Sequence, residues 1–385
     1  MIMRWLHLGD LHLGKSLGEY DLYDDQKYML DEILEIADKE GVDGFLIAGD
    51  VYDKSVPSEA ATKLLNHFMN EIAIRDLKVC MISGNHDSDE RLNYGSSLFA
   101  TKQIYISSLF DGVLHKQSFC DGECKVDVYL LPFVKASQVK HFFPDERIES
   151  YEDAVRVILQ NTVLDKSSTN ILVAHQFVAS RGMDPELGGS EGLATQMVGT
   201  VEKIGYDLFD DFDYVALGHI HSPQRVGRDE VRYSGSMLKY SLKEVHDEKS
   251  VPLITISGDE KLKIELVPLK PMRDVRRVKG TLKELMSDAN ASEDFIYATV
   301  TDEDDVTDVM GILRQVYQNI VDVNYDNSHT RGIEQGSADV NAADKSYTEI
   351  VSEFYSYIYG CDISDEEMAV MKEVGKEVGI IYEAD

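Results

Sequence analysis

The chain has 385 residues, of which 43% are hydrophobic and 28% are charged, and its formal net charge is −32. These values are typical of a globular protein with one large domain and smaller additions. The longest apolar runs are of strand length, which excludes a membrane-spanning helix. The N-terminus begins directly with a predicted strand, so we expect no secretion signal and a cytoplasmic location.

The net charge argues against a nucleic-acid-binding protein, but the acidic residues are unevenly distributed. From residue 281 onward there are 24 acidic and 6 basic residues, a net charge of −18, which leaves only −14 for the first 280 residues. Some of those earlier carboxylates are expected to bind divalent cations. The four cysteines predict no disulfide framework, which favours a reducing compartment. Cys120 and Cys124 could form half of a zinc site, although no second Cys/His pair lies nearby.

The first ninety residues alternate between strand and helix patterns, which predicts parallel strands joined by right-handed crossovers. The first helix is predicted over residues 24–40, with an apolar stripe and Gly41 as its stop. The second helix follows Pro57-Ser58. Further along, the patterns predict a strand over 126–133, a helix over 151–159, a long Gly-containing loop over 178–200 and a hairpin over 251–267.

Five predicted strands each end at side chains that can bind a metal. They are Arg4–Gly9 with Asp10 and His12, Phe45–Gly49 with Asp50, Val79–Gly84 with Asn85, Ile171–Ala174 with His175, and Tyr214–Gly218 with His219 and His221. In an open α/β sheet, sites form at the carboxyl ends of the strands. We therefore predict one metal site assembled from the whole sheet. Asp50, with two carboxylate oxygens and a place in a middle strand, is the candidate that bridges two metals.

The spacing of these residues supports the same site. Asp10 and His12, like His219 and His221, are i, i+2 pairs, so on extended backbone both side chains of a pair point to one side. Mixed nitrogen and oxygen ligands suit manganese, iron or zinc. Two such cations, about 3.5–4 Å apart, neutralise a phosphate ester and hold the attacking hydroxide. The pattern therefore predicts a two-metal phosphoesterase.

The motifs Asp-x-His, Gly-Asp-x-x-Asp, Gly-Asn-His-Asp, a lone His after a strand and Gly-His-x-His together resemble the signature of the calcineurin-like metallophosphoesterases. Within that superfamily the chain resembles the SbcD family of bacterial nuclease subunits, through residues 216–224, 231–236, 353–355 and 363–367. The resemblance implies a four-layer α-β-β-α sandwich with a small α+β capping domain and a C-terminal helical tail.

The resemblance also implies roles for the site residues. One metal would be bound by Asp10, His12, Asp50 and His221, and the second by Asp50, Asn85, His175 and His219. His86 would be a catalytic histidine that binds no metal and either stabilises the transition state or protonates the leaving oxygen, and Asp53 would orient it. The alternative for Asp53 is an ordinary loop or helix-cap carboxylate.

The family implies a Mn²⁺-dependent 3′→5′ exonuclease on double-stranded DNA that is also an endonuclease on single strands and hairpins. Mg²⁺, Fe²⁺ or Zn²⁺ could replace Mn²⁺. It further implies a homodimer that forms a heterotetramer with the ATPase SbcC, ATP-stimulated cleavage, and roles in DNA repair, recombination and replication at the nucleoid. Two alternatives stay open. A small-molecule or cyclic-nucleotide phosphodiesterase would share the ligands but would not need residues 272–385. A non-catalytic scaffold would typically have lost ligands, and none is missing.

Other histidines and several basic residues have no assigned role. His7, His67, His115, His141, His246 and His329 match no motif, so we expect surface or packing roles for them. Arg91, Arg225, Arg228, Arg232 and Lys239 lie near the motifs. They could contact DNA phosphates or could simply be solvated surface charge.

Four segments are predicted along the chain: a nuclease domain (1–270), a capping domain (271–326), a polar linker (327–345) and a helical tail (346–385). Within the capping domain the patterns predict strand, helix, strand (295–300), helix (306–317) and strand (320–325).

The tail is predicted as two short amphipathic helices. Ile350, Phe354 and Ile358 form the apolar stripe of the first, and Ser364-x-x-Glu367 is a capping box that begins the second. Isolated helices this short are marginal in water, so we expect the tail to occupy a partner's groove. In the resembling family that partner is the coiled-coil base of SbcC. The alternative is a tail that folds back on its own capping domain.

Overall fold

The computed structural model describes residues 2–122, 124–180, 183–189, 203–258, 262–287, 290–304, 306–328, 347–359, 362–364 and 367–372. Most of the predicted linker and of the 178–200 loop lie outside the described residues. By its contacts the chain divides into two units. The first comprises Met1–Val300 and Val306–Asn324, and the second comprises Thr301–Asp305 and Tyr325–Asp385.

The strands and helices have the following bounds. The strands are β1 (Ile2–Leu8), β2 (Ser16–Leu17), β3 (Tyr20–Asp21), β4 (Gly44–Ala48), β5 (Lys78–Ile82), β6 (Ile104–Ser107), β7 (His115–Asp121), β8 (Cys124–Leu131), β9 (Thr169–Ala174), β10 (Val178–Ala179), β11 (Ile204–Gly205), β12 (Tyr214–Leu217), β13 (Gln224–Val226), β14 (Arg228–Tyr233), β15 (Ser250–Ser257), β16 (Lys263–Pro268), β17 (Val275–Gly280), β18 (Ser292–Val300) and β19 (Tyr317–Tyr325). The α-helices are α1 (Tyr23–Glu40), α2 (Glu59–Ile74), α3 (Asp89–Asn93), α4 (Ser96–Ala100), α5 (Ala136–Phe142), α6 (Tyr151–Gln160), α7 (Leu282–Leu285), α8 (Val309–Leu313) and α9 (Tyr347–Tyr359). Short 3-10 helices lie at Tyr206–Phe209 and Leu242–His246.

Two six-stranded sheets form the centre of the first unit. One has the strand order β16-β15-β1-β4-β5-β6, and the other has the order β13-β14-β12-β9-β8-β7. Their facing sides bury one apolar cluster, which includes Trp5 and Leu46 from the first sheet and Val128 and Ile171 from the second. The outer face of the first sheet packs on α1 and α2, and that of the second packs on α5 and α6. This arrangement confirms the predicted four-layer sandwich.

Local sequence explains the elements that hold the first sheet in place. The five residues of β4 are all buried, as expected for a strand covered on both faces. Helix α1 buries Met29 and Ile33, four residues apart on one face, and ends at Gly41 in the left-handed conformation (φ 63°). Helix α2 begins after Ser58, whose side chain accepts a hydrogen bond from Ala61 N at 3.1 Å. The two predicted helices are therefore confirmed, and the first begins one residue earlier than predicted.

Strand direction places the ends of several strands together. In the first sheet β1, β4 and β5 are mutually parallel, and in the second sheet β9 and β12 are parallel. The carboxyl ends of parallel strands meet at one edge of a sheet. The loops that follow these five strands are the ones that carry the predicted ligands.

The C-terminal strands form a smaller sheet with the order β17-β18-β19, in which β17 and β18 are parallel. The helix predicted over 306–317 is shorter than expected, because α8 spans only Val309–Leu313 and Tyr317 already begins β19. Asp308 in the left-handed conformation (φ 54°) delays the start of this helix. The predicted boundaries of the four segments stay a prediction.

The second unit contains the described part of the tail. Helix α9 corresponds to the first predicted tail helix, and residues 367–372 are helical where the second was predicted. Phe354 is 66% exposed and Ile350 is 39% exposed. Among the residues that the structure describes, no helix has the length and hydrophobicity needed to cross a membrane.

Candidate two-metal centre

The two sheets bring the predicted ligands to one place. Backbone hydrogen bonds join the loops of the first sheet, from Asp10 N to Gly49 O at 3.1 Å and from His12 N to Asp50 O at 2.9 Å. The second sheet reaches across, because His219 N donates to both carboxylate oxygens of Asp10, at 2.8 and 3.0 Å. The site is therefore built at the seam between the sheets.

Four of the predicted ligands have unusual backbone conformations. Asp10 (φ 53°), His12 (φ 43°), Asp50 (φ 48°) and His219 (φ 99°) all lie in the left-handed region. Residues other than glycine adopt this region uncommonly, and each such residue costs of the order of 1 kcal/mol or more. Strain of this kind clusters at functional sites, where the surrounding structure enforces it.

Two of the four glycines that directly precede predicted ligands, Gly84 and Gly218, allow a close approach of the strands. A Cβ atom on Gly84 would overlap the Oδ1 atom of Asp50 and would lie 2.8 Å from its Cγ atom. A Cβ atom on Gly218 would overlap the carbonyl oxygen of Ala48 and would lie 2.8 Å from His175 Nδ1. Space for the ligands therefore depends on the absence of these side chains.

One group of ligand atoms comprises those of Asp10, His12 and His221, which lie within 4.8 Å of one another. The Nε2 atoms of His12 and His221 are only 3.0 Å apart, and both side chains are almost completely buried. Two lone pairs that face each other at this distance repel unless a proton or a cation lies between them. The pair therefore fits a bound cation.

A second group surrounds His175 and Asn85. His175 Nε2 lies 3.1 Å from Asn85 Oδ1 and 3.4 Å from Asp50 Oδ2. His219 Nδ1 lies 2.9 Å from the same Asn85 oxygen. The other nitrogen of His175 donates to the carbonyl oxygen of Ala48 at 2.7 Å, so in the neutral imidazole, the form that binds a metal, Nε2 carries the lone pair.

Asp50 lies between the two groups. Its Oδ2 atom is 3.6 Å from His12 Nε2 and 3.4 Å from His175 Nε2, and its Oδ1 atom accepts a hydrogen bond from His86 N at 2.9 Å. Asp50 is thus the carboxylate that lies near both groups, and its role as the bridging ligand stays a prediction.

Burial and mutual charge shift the pKa values of the ligands. Burial raises the pKa of the Asp10 carboxyl to about 6 and lowers the pKa of His12 to about 4. Burial also lowers the pKa of His175, but the neighbouring Asp50 carboxylate outweighs this effect and raises it to about 9. Burial likewise opposes the ionisation of Asp50, but the surrounding histidines, His175 first, lower its pKa well below the ordinary value. Burial opposes the ionisation of both carboxyl groups, and divalent cations bound beside them would favour the ionised forms.

His86 and Asp53 lie at the edge of this cluster. His86 Nδ1 donates to the backbone carbonyl oxygen of Asp53 at 2.9 Å. The Asp53 carboxylate faces elsewhere, with Oδ1 at 2.8 Å from Lys15 Nζ and 3.4 Å from His12 Nδ1. The contact between Asp53 and His86 therefore uses the main chain, and the roles of both residues stay a prediction.

Several residues behind the ligands had no assigned role in the sequence. The buried Asp87 carboxylate accepts hydrogen bonds from the backbone of Val51, Tyr52 and Gly84, and so fixes the loop that carries Asp50. Asp87 is the last residue of the Gly-Asn-His-Asp motif, and this position could have indicated its supporting role from the sequence.

Glu244 and Lys249 also lie behind the ligands, and no motif indicated them. Glu244 is completely buried with Oε1 at 3.6 Å from His221 Nδ1, and Lys249 Nζ binds Glu244 Oε2 at 2.7 Å.

Two of the histidines outside the motifs illustrate the contacts that these residues make. His7 is buried and its Nδ1 atom lies 3.0 Å from the hydroxyl of Tyr214, and His67 Nε2 lies 2.6 Å from Asp31 Oδ1. His329 lies outside the described residues. These contacts agree with the expected packing and surface roles.

Two of the basic residues near the motifs are bound within the protein. Arg228 donates to the carbonyl oxygens of Phe209 and Phe212, at 3.2 and 2.5 Å, and Lys239 Nζ lies 3.0 Å from Asp274 Oδ1. Neither side chain is freely available to a phosphate, so we assign no DNA contact to them.

Replacement of Gly84 by alanine is expected to displace Asp50, because the new Cβ atom would overlap its carboxylate oxygen. We expect metal binding at least about tenfold weaker, the lower end of what disturbed support of metal ligands costs. The amount of metal that stays bound to the protein after equilibrium dialysis measures this loss of affinity. Gly258→Ala is the matched control, since a Cβ atom there meets nothing within 4 Å. Equal metal content in the two variants would contradict the prediction.

Comparison with known proteins agrees with this site. The sequence model of the calcineurin-like phosphoesterase family matches residues 3–223, and that described as type 5 capsule protein repressor C-terminal domain matches residues 271–358. The SbcD subunit of the SbcCD nuclease from Staphylococcus epidermidis is 34% identical over 327 residues, which cover 83% of this chain and 84% of that protein.

Two solved structures are also similar. One, from Thermus thermophilus, is 11% identical with a TM-score of 0.40, and covers 70% of this chain and 100% of its own. The other, a dimetal phosphatase from Danio rerio, is 10% identical with a TM-score of 0.35, and covers 68% of this chain and 98% of its own. With scores this low, the family assignment is based on the sequence matches.

The sandwich fold and the convergent ligand groups define a metal-dependent phosphoesterase, a hydrolase with a site for two metal ions. The phosphoesterase match covers more than half of the chain, and the nuclease subunit aligns over most of both proteins. The chain belongs to the calcineurin-like phosphoesterase family and, within it, to the SbcD nuclease subunits.

Proposed function

We propose that the chain hydrolyses DNA phosphodiester bonds with two Mn²⁺ ions, as a 3′→5′ exonuclease on double strands and an endonuclease on single strands and hairpins. The convergence of carboxylate, imidazole and amide groups from five strand ends on one seam carries this proposal. One ion would be bound by Asp10, His12, Asp50 and His221, and the other by Asp50, Asn85, His175 and His219. Two such ions supply charge neutralisation of the phosphate and activation of the attacking water.

His86 is proposed to protonate the leaving oxygen. A carbonyl oxygen only accepts hydrogen bonds, so the contact with Asp53 O assigns the proton on Nδ1. Nε2 is then the nitrogen that exchanges a proton with substrate. His86 and His219 are half-buried and Asn85 is exposed, whereas Asp10 and His12 are fully buried. Substrate would therefore approach from the side of Asn85 and His86.

DNA is favoured over a small ester by the C-terminal part of the chain. The phosphoesterase family model ends at residue 223, but a second family model matches residues 271–358. The alignment with the nuclease subunit covers 327 residues, so it also extends beyond the phosphoesterase region. A small-molecule or cyclic-nucleotide phosphodiesterase would not need this extension. That enzyme remains the second candidate, because it would use the same ligands.

Purified protein with Mn²⁺ tests the proposal on linear, hairpin and closed circular DNA, beside bis-p-nitrophenyl phosphate. We expect shortening of linear duplexes from their 3′ ends, opening of hairpins and hydrolysis of the small ester. Duplexes labelled at one end or the other report the polarity. Hydrolysis of the ester without cleavage of any DNA would favour the second candidate. Parallel reactions with Mg²⁺, Fe²⁺ and Zn²⁺ identify the metal that supports the highest rate.

The proposal includes a partner. A homodimer of this chain would assemble with an SbcC-type ATPase as a heterotetramer, and ATP would stimulate cleavage through that subunit. The relative's name, which describes it as a subunit of SbcCD, supports this assembly. The exposed apolar face of α9 at Ile350 and Phe354 supports the tail as the docking element.

Deletion of residues 346–385 is expected to abolish co-purification with SbcC and ATP-stimulated cleavage, because it removes the proposed docking helices. Phe354→Glu should have the same effect, since it places a charge on the exposed apolar face. Hydrolysis of bis-p-nitrophenyl phosphate should stay unchanged in both. Val163→Glu is the control, because Val163 is also exposed (89%) but lies far away in sequence. Unchanged SbcC affinity of the truncated protein would contradict docking by the tail.

A further inference from the structure

The two histidines that face each other in the site are each backed by a carboxylate. His12 and His221 approach through their Nε2 atoms, 3.0 Å apart. On the opposite side of each ring, His12 Nδ1 lies 3.4 Å from Asp53 Oδ1, and His221 Nδ1 lies 3.6 Å from Glu244 Oε1. The same arrangement therefore occurs twice, with the carboxylates supplied by different parts of the chain.

Each of these carboxylates is in turn paired with a lysine. Lys15 Nζ lies 2.8 Å from Asp53 Oδ1, and Lys249 Nζ lies 2.7 Å from Glu244 Oε2. Lys249 also donates to the backbone carbonyl oxygen of His221 at 2.8 Å. A lysine ammonium only donates hydrogen bonds, so the carboxylate oxygen beside each lysine is an acceptor. Both carboxylates are thus kept as acceptors for a histidine N–H.

An acceptor behind the ring determines which imidazole nitrogen can bind a cation. A neutral imidazole carries one N–H, and a carboxylate at Nδ1 favours the tautomer with the proton on Nδ1 and the lone pair on Nε2. The contacts of 3.4 and 3.6 Å are longer than ordinary hydrogen bonds. His12 Nδ1 is buried without a hydrogen-bond partner in the part of the chain that the structure describes. Asp53 is the acceptor that a small adjustment would bring within range.

We propose that Asp53 and Glu244 are positioning residues that hold His12 and His221 in the tautomer that presents both Nε2 atoms to one cation. The proposal rests on the proposed ligand set, in which both histidines bind the same ion. It assigns a role to Glu244, and it makes the carboxylate of Asp53 act on His12. The carbonyl of Asp53 is left to hold His86.

Isothermal titration calorimetry, in which Mn²⁺ alone is added to metal-free protein, tests this assignment. The wild type should show two binding steps, and His12→Ala should lose one of them. Asp53→Asn and Glu244→Gln should each weaken that same step by about 10–100-fold, the usual effect of removing a partner behind a metal ligand, and leave the other unchanged. Asp111→Asn is the matched control, since that exposed carboxylate contacts His115 at 3.0 Å away from the site.

Two further readouts separate positioning from a merely structural role. With Co²⁺ as the probe, Asp53→Asn should change the visible absorption of the weakened step, and Asp53→Glu should restore it in part. Loss of the ion pair with Lys15 is expected to lower the melting temperature of the metal-free Asp53→Asn protein, so the readout is the increase on adding Mn²⁺, which should be smaller than in the wild type. Glu244 is completely buried against Lys249, so if Glu244→Gln fails to fold, Asp53→Asn with Lys15→Gln provides the test.

The outcomes are distinguishable. If the wild type shows no step that His12→Ala removes, the proposed ligand set fails and this inference fails with it. If that step exists but Asp53→Asn binds both ions with wild-type affinity, only the inference is overturned. Wild-type metal affinity with a slower rate of DNA cleavage would show that the Asp53 carboxylate acts on His86 instead.

Discussion

Replacement of Asp50 by asparagine is expected to remove bound metal and cleavage together. The Oδ2 atom of Asp50 lies 3.6 Å from His12 Nε2 and 3.4 Å from His175 Nε2, so a single oxygen faces both groups of ligands. An asparagine lacks the negative charge and offers one oxygen in place of two. Because metal ions supply several kcal/mol of transition-state stabilisation, we expect a loss of about 10³-fold or more in rate.

Metal analysis and hydrolysis of bis-p-nitrophenyl phosphate, carried out on the same preparation, measure the two effects of Asp50→Asn. Asp31→Asn is the matched control, because Asp31 also contacts a histidine, His67 at 2.6 Å, but lies on α1 away from the site. Asp31→Asn should have the same metal content and the same rate of ester hydrolysis as the wild type. Two full equivalents of Mn²⁺ in Asp50→Asn would refute the bridging assignment.

Replacement of His86 by alanine should leave metal binding unchanged and slow DNA cleavage by roughly 10²–10⁴-fold, the range for a general acid. The backbone of His86 is fixed by Asp50 Oδ1 and its Nδ1 atom by Asp53 O, both at 2.9 Å, which leaves Nε2 for substrate. The distances also permit another role, since ligand atoms of His12, Asp50 and His86 lie within 4.8 Å of one another. The experiment therefore has to separate catalysis from coordination.

The leaving group provides that separation. The p-nitrophenolate of bis-p-nitrophenyl phosphate leaves readily without a proton, so His86→Ala should slow this ester much less than DNA. His115→Ala, at an exposed histidine that contacts Asp111, should behave like the wild type in both assays. A loss of metal that parallels the loss of rate would instead make His86 a ligand.

Much of the fold could be predicted because its signals are local. Strand β4 is an apolar run that ends in Gly49-Asp50, and helices α1 and α2 have apolar faces with a glycine stop or a serine cap. Such patterns depend on neighbours within a few residues. Shorter elements such as α3 and α4, with five residues each, are too short to show a helical period and were not predicted.

The sequence by itself predicted which residues are candidate metal ligands, because each follows a strand. The extended backbone predicted for the pairs Asp10/His12 and His219/His221 was wrong, since Asp10, His12 and His219 adopt the left-handed conformation. Only the tertiary structure decided how they meet: His219 N reaches Asp10 across the seam, and Asp50 adopts a left-handed conformation that no local pattern requires. It also placed Glu244 behind His221, although they are separated by 23 positions and share no motif. The physical reason is that burial and cross-sheet hydrogen bonds fix these groups, and such contacts leave no periodic trace in the sequence.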